Sequence, residues 1–377
     1  MAPPKGYTIN PDELFSHARA VAQMQQPLDR VVGAAKEACP DGINVAYGLY
    51  CQFFAMTLSP VQEYAEDGIG KIARAVDSAA NQLIKAVEAY VDSDENNAGQ
   101  LRTIGANLPE NAGNGLIAKG TGWDWKNYNP VDGGPLTNMD AQNGGKGAGL
   151  VGNTWDLVVE ASDSGKRNYG VMAGHIASMG ADGAALAGDP LGTAVSWAAG
   201  WVMEHVKPFR LILDGLAGNP EMIKGASLTW KNMSAELTRL ANHYASVKDK
   251  TGGWQGEAGE SYRDNVAATI INAMKAAANL ATVMSIVVGV TGDLVNLVRS
   301  AVRDITAQAL GQLVSAAAKR FYKPPFEELS NVAFHLKNAK ALVTFLIVFV
   351  NHFARQIPLI LEACKTLANI VPKLDGV

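Results

Sequence analysis

The chain is short of charge and of cysteine. Only 18% of its 377 residues are Asp, Glu, Lys or Arg, the formal net charge is -4, and no basic cluster stands out. Nucleic-acid binding needs grouped Lys and Arg against phosphate, so it is excluded as a main activity. Three cysteines, Cys39, Cys51 and Cys364, allow at most one disulfide. Cys39 and Cys51 flank the expected first turn, and two readings stay open: they pair in an oxidising compartment, or they are buried thiols.

Catalytic and ligand-binding patterns are missing as well. His17, His175, His205, His243, His335 and His352 are scattered singly, without metal-ligand spacing. There is no G-x-S-x-G, and no cysteine has a recognisable catalytic context. The glycine run at 144–149 carries Lys146 without a following Ser or Thr and without a preceding strand, so a phosphate loop is rejected. No catalytic, cofactor-binding or metal-binding residues are expected, and the chain is read as non-enzymatic. The start, Met1-Ala2-Pro3-Pro4-Lys5-Gly6, has no apolar core of a signal peptide, so export would use another route. A spanning helix needs roughly 20 apolar residues. The run 341–350 is too short, and 276–292 is interrupted by Asn279, Thr282, Ser285 and two glycines. Both read as buried or membrane-touching.

What the chain does have is helical periodicity. At 48% hydrophobic it can bury one large core or two smaller ones. Asn219-Pro220 sets a capping residue before the one helical position where proline loses no hydrogen bond. Ile223, Ala226, Trp230, Met233, Leu237, Leu240, Tyr244 and Val247 then follow at spacings of three and four, a single helical face. After Gly252-Gly253-Trp254-Gln255-Gly256, the residues Val266, Ile270, Ala273, Ala277, Leu280, Met284 and Val287 repeat that spacing. Two such helices joined by a short glycine-containing loop fold back on each other. Glycines 252, 253 and 256 are expected to supply backbone angles that other residues resist. Trp254 is either presented at the reversal or plugs the end of the core.

A second hairpin is expected near the N-terminus. Asn10-Pro11-Asp12-Glu13 opens a helix whose stripe is Leu14, Ala18, Val21, Leu28, Val32 and Ala35, interrupted by Gln25. A run from 43 to 58 follows, with Ser59-Pro60 as a fresh cap or kink. The stretch 61–90 then sets Ala65, Ile72, Ala79 and Ala86 on one heptad track and Ile69, Val76, Leu83 and Tyr90 on another. Between the hairpins, residues 96–193 hold more than half of the 38 glycines and read as a connector. Residues 194–216 read as a leading helix packed on the second hairpin. Gly292-Asp293 is expected to restart a helix. The division expected is thus 1–95, 96–193, 194–290 and 291–377, and the fold class is all-α, with the two hairpins forming a four-helix bundle and the C-terminal helices apolar.

Trp254-Gln255-Gly256 between two such helices, with Trp230, Leu237, Gly256-Glu257-Ala258 and Tyr262 around it, resembles the WXG100 family of hairpin proteins exported by type VII secretion systems. Residues 9–95, through Asn10-Pro11-Asp12-Glu13-Leu14, Tyr50-Cys51-Gln52-Phe53 and the helix end at 90–95, resemble the EspC-type substrates of those systems. Together they are similar to the fused EspB arrangement and to PE-PPE pairs. The resemblance implies an export signal: Trp254 and Gly256 at one turn, and Tyr90-x-x-x-Asp94 at the end of the other hairpin. The alternative for Tyr90 is a tyrosine closing the helix interface with its hydroxyl in water. What the resemblance further implies is a secreted or cell-surface protein, a secretion ATPase as partner, and a chaperone at an apolar tip near 284–290. The C-terminal helices, 276–372, are the candidate surface for self-association or membrane contact.

Overall fold

A computed structural model of the chain describes residues 9–38, 40–92, 190–318, 355 and 357–374. Cys39, Asp94, the connector up to residue 189 and the apolar run 341–350 lie outside the described residues. Among the described residues every regular element is a helix, and the fold is all-α.

The N-terminal hairpin starts as its capping residues dictate. Asn10 stands in extended conformation and its side-chain oxygen accepts from the amides of Asp12 (3.2 Å) and Glu13 (3.4 Å), opening α1 (Pro11–Ala22). The expected single helix is broken at Gln23 and Met24, and α2 (Gln25–Ala38) starts afresh. The break changes the phase of the stripe, so Met24, Leu28, Val31, Ala34, Ala35 and Ala38 are buried while Val32 is only partly covered. Gln25 stays on the inner side, its amide donating to Asp29 (2.9 Å).

The return helix α3 (Pro40–Asp92) runs through Pro60, which ends nothing, and is interrupted instead at Gly48 (φ 60°, ψ 177°). Its two heptad tracks are inward: Ala65, Ile69, Ile72, Val76, Ala79 and Leu83 are all buried. Cys51 is a buried free thiol, pushed up to about 11 by burial.

The second half begins with α4 (Pro190–His205) and α5 (Lys207–Ala217), two helices where one was expected, separated at Val206 in extended conformation. Then come α6 (Pro220–Asp249), capped by Asn219, a 3-10 turn (Lys250–Gly253), and α7 (Glu257–Ser261). A π-helical turn (Tyr262–Ala267) carries α7 directly into α8 (Ala268–Ala318). The expected restart at Gly292 does not occur: α8 passes straight through it, and Gly292 lies where the helix comes close to Ile223 of α6. Ser227 Oγ donates to the carbonyl of Ser285 (2.7 Å) and Ser234 pairs with Thr282 (2.7 Å), which fixes α6 and α8 as antiparallel.

Every member of the α6 stripe is buried, Trp230 completely, and so are Ile270, Ala273, Ala277, Leu280, Met284 and Val287 opposite. The helix spanning Glu257–Gly311 is long and apolar enough to cross a membrane, with a mean hydropathy of 1.7 over its most apolar stretch. Here the inner face of that helix is the centre of the core. The N-terminal hairpin lies along α6 and α8, α4 packs on α8, and α5 packs chiefly against α3 and α4. The helix 357–374, called α9, seats Leu367 against Gly68 of α3.

Two glycines join the halves. A Cβ on Gly218 (φ 93°) would lie 2.6 Å from the carbonyl oxygen of Ala46 and 2.7 Å from that of Tyr47, and a Cβ on Gly48 would run into the backbone of Ala217 and Gly218. The amide of Asn219 donates to that same Ala46 carbonyl (2.6 Å). Beside this junction Arg299 of α8, 2% exposed, binds Glu204 (2.8 Å), Asp214 and the carbonyl of Gly218. Burial raises the Asp214 carboxyl even with Arg299 beside it. Arg299 therefore ties α4, α5 and the junction to one point on α8.

Both devices have measurable consequences. Gly218→Ala or Gly48→Ala should destabilise by on the order of 3 kcal/mol, since each adds a backbone collision to left-handed strain. Gly215→Ala, with nothing within 4 Å, should shift stability by less than about 1 kcal/mol. Arg299→Ala, which leaves Glu204 only Arg303 at 3.6 Å and Asp214 only Arg210 at 4.0 Å, should cost about 3–5 kcal/mol. Chemical denaturation of the four proteins, with unchanged m-values, checks all of these.

Candidate functional site at the tip of the second hairpin

The turn after α6 is built from backbone carbonyls that need partners. The hydroxyl of Thr251 bonds the carbonyl of Lys248 (2.7 Å), and the amide of Trp254 bonds that of Thr251 (3.0 Å). Arg263 then reaches back and donates to the carbonyls of Thr251 (2.9 Å) and Trp254 (2.7 Å), closing the loop with one guanidinium. Of the turn glycines only Gly256 adopts a positive φ (105°), at the start of α7. At Gly253 only the carboxylate end of the exposed Glu13 side chain of α1 sits where a Cβ would be, and it can turn aside, while Gly252 faces open space.

Trp254 is 7% exposed. Its ring lies 5.6 Å from that of Tyr262 with a 30° tilt, and Gly259 leaves room for its carbonyl and indole. The side chain thus plugs the tip, and the residues that face outward beside it are Gln255, Glu257 and Glu260.

Beneath Trp254 lies a polar chain that the sequence reading missed. The Nε2 of His17 is 2.6 Å from the Tyr262 hydroxyl, which is 3.0 Å from the Tyr244 hydroxyl, all three buried. The rings meet edge-on, His17 to Tyr262 at 5.4 Å and to Tyr244 at 6.3 Å. Burial pushes His17 down to about 4, with a small opposing pull from the Val247 backbone. Burial pushes Tyr244 up to about 12 and Tyr262 upward as well. The neutral imidazole can therefore accept from Tyr262, and Tyr262 from Tyr244. The signal was present in the sequence: His17 stands three residues after Leu14 and four before Val21, on the buried stripe of α1.

Tyr90 lies at the same end. The amide of Gln62 in α3 donates to the carbonyl of Ala38 (3.2 Å), so α3 runs back along α2 and α1. Tyr90 stands as far beyond Gln62 as Asn10 stands before Ala38, which brings the end of α3 level with the start of α1, where Glu13 meets Gly253. Tyr90 is partly buried and packed on the core. Asp94 lies outside the described residues. The stretch 284–290 is mostly interior: Met284, Val287 and Val288 are fully buried and Ile286 is exposed. No group of three or more His, Cys, Asp or Glu is arranged to hold a metal ion among the described residues.

Residues 5–103, about a quarter of the chain, match the family model described as "Excreted virulence factor EspC, type VII ESX diderm". The matched segment takes in the whole of the hairpin α1–α3. No curated protein and no solved structure matches the chain. The hairpin that docks against the Trp254 turn is thus the part of the chain that is similar to a type VII secretion family.

The buried imidazole makes stability depend on acidity. An unfolded histidine titrates near 6.5 and His17 in the fold near 4, so its contribution is complete above pH 6.5 and is lost as pH falls toward 4. Over that window the loss should reach about 3 kcal/mol. His17→Phe should flatten this part of the profile, as followed by denaturation at a series of pH values.

Proposed function

We propose that the chain is a non-enzymatic substrate of a type VII secretion system, exported folded and recognised through a composite signal of Trp254, Gly256, Tyr90 and Asp94. The observation that carries this reading is the family match of residues 5–103. It is supported by geometry: the end of α3 and the Trp254 turn come to the same end of the molecule, joined through α1. A secretion ATPase docking there would meet both elements only when the hairpins are assembled, so it would read identity and folded state together. The second hairpin is then a WXG100-like unit fused to an EspC-like one, as in EspB or a PE-PPE pair. The destination is the medium or the cell surface.

In this reading Trp254, 7% exposed, and Gly256 shape the tip, whereas Tyr90 and Asp94 are the residues a receptor touches. A chaperone holding an apolar tip would find little at 284–290 beyond Ile286. A membrane-active or self-associating role for the C-terminal helices has support from exposed Ile305, Leu310 and Val314 on α8 and Ile357, Leu359 and Leu361 on α9.

Secretion from the native host tests the main reading. Tyr90→Ala and Asp94→Ala should abolish export while the purified variants stay folded, Tyr90→Ala melting somewhat lower because Tyr90 packs on the core. Trp254→Ala should lose export together with stability. Normal secretion of the Tyr90 and Asp94 variants would overturn the composite signal.

A further inference from the structure

The short helix α5 is apolar on the side it turns to solvent. Leu213 and Ala217 face inward, whereas Leu211 and Ile212 are 60% and 61% exposed and Phe209 is 48% exposed. Trp201, near the end of the preceding helix α4, is 44% exposed. An outer face of this kind in water needs an occupant.

Charge says which one. The acidic groups of this region are used internally: Glu204 is buried against Arg299 and Arg303, and Asp214 is held by Arg299. Lys207 and Arg210 remain at the surface of α5, on one flank of its apolar face, with Arg210 only loosely drawn toward Asp214 at 4.0 Å. Apolar and aromatic side chains beside two cations on one short helix match an interface rich in negative headgroups. A second copy fits badly, because a two-fold contact through this face would bring the lysines and arginines of the two copies together. The face is also the convex outside of a helix, which suits a flat layer better than an inserted peptide.

We infer that α5, with Trp201, is a docking face for an anionic lipid surface. This inference does not rest on the export reading, and each can fail without the other. On contact, Phe209, Leu211 and Ile212 enter the headgroup boundary while Lys207 and Arg210 meet the phosphates above it. The internal ion pairs of Arg299 keep the two acids out of that layer.

Sedimentation of the full chain with vesicles tests this, comparing phosphatidylglycerol–phosphatidylcholine mixtures with pure phosphatidylcholine. The wild type should bind the anionic vesicles, less so at raised salt, and bind the neutral ones weakly. Leu211→Glu with Ile212→Glu should lower anionic binding at least about tenfold without changing the melting temperature, since both side chains are exposed. Lys207→Gln with Arg210→Gln should lower it by about fivefold per cation removed. If the glutamate pair disturbs folding, Leu211→Ser with Ile212→Ser takes its place. A wild type that ignores anionic vesicles overturns the inference, as do α5 variants that bind as well as the wild type. So does gel filtration showing a dimer that these variants dissolve without any vesicle binding.

Discussion

The molecule depends on one close approach of backbone to backbone. Residues 46–48 and 217–219 are far apart in sequence, yet they come together closely enough that neither Gly48 nor Gly218 can carry a side chain, and the Asn219 amide is satisfied by the Ala46 carbonyl. The contact does two things together. It bends α3 at Gly48, and it places the capping residue of α6 against the first hairpin, so the start of the second hairpin is positioned by the first. Two amphipathic hairpins could slide along each other by a helical turn at modest cost in apolar burial. A junction made of glycines and a main-chain hydrogen bond has no such tolerance. The register of everything further along is set from there.

At the opposite end a second pin acts in the same direction. His17, Tyr262 and Tyr244 form a buried polar chain between α1 and the second hairpin. A shifted register would also leave the His17 Nε2 and the two tyrosine hydroxyls without partners, so these two hydrogen bonds discriminate the correct register more sharply than apolar side chains can. Fixed at both ends, the two hairpins have one relative position. The proposed composite signal requires this, because its parts lie on different hairpins and become a single surface only if the register holds.

Helical stripes were legible in the sequence; the contacts between helices were not. Ile223 to Val247 was predicted residue by residue, since a spacing of three and four on a capped helix allows one buried face. The broken phase at Gln23 and Met24 was invisible because neither residue is a helix breaker. Pro60 misled in the opposite direction: a local rule marks it as a kink, but packing on both sides carries α3 through it and moves the bend to Gly48. Gly48 and Gly218 look ordinary until their partners are known. Arg299 and His17 each left a trace, a polar residue among apolar neighbours on a buried face, and such residues are better read as searching for a partner than as noise.

The Trp254 turn shows why a motif and a contact surface should be separated. An exposed indole could be read directly by a receptor; one that is 7% exposed and packed at a tilt on Tyr262 acts through what it holds. Its carbonyl is bound by Arg263, its ring covers the tyrosine that bonds His17, and Gly256 turns the chain into α7 immediately after it. Removing the indole would loosen the chain of contacts by which α1 is held to the tip, and with it the position of the end of α3. In the proposed signal, then, tryptophan is the structural half and Tyr90 with Asp94 the recognised half, which explains how a residue hidden from solvent can be required by a partner that never touches it.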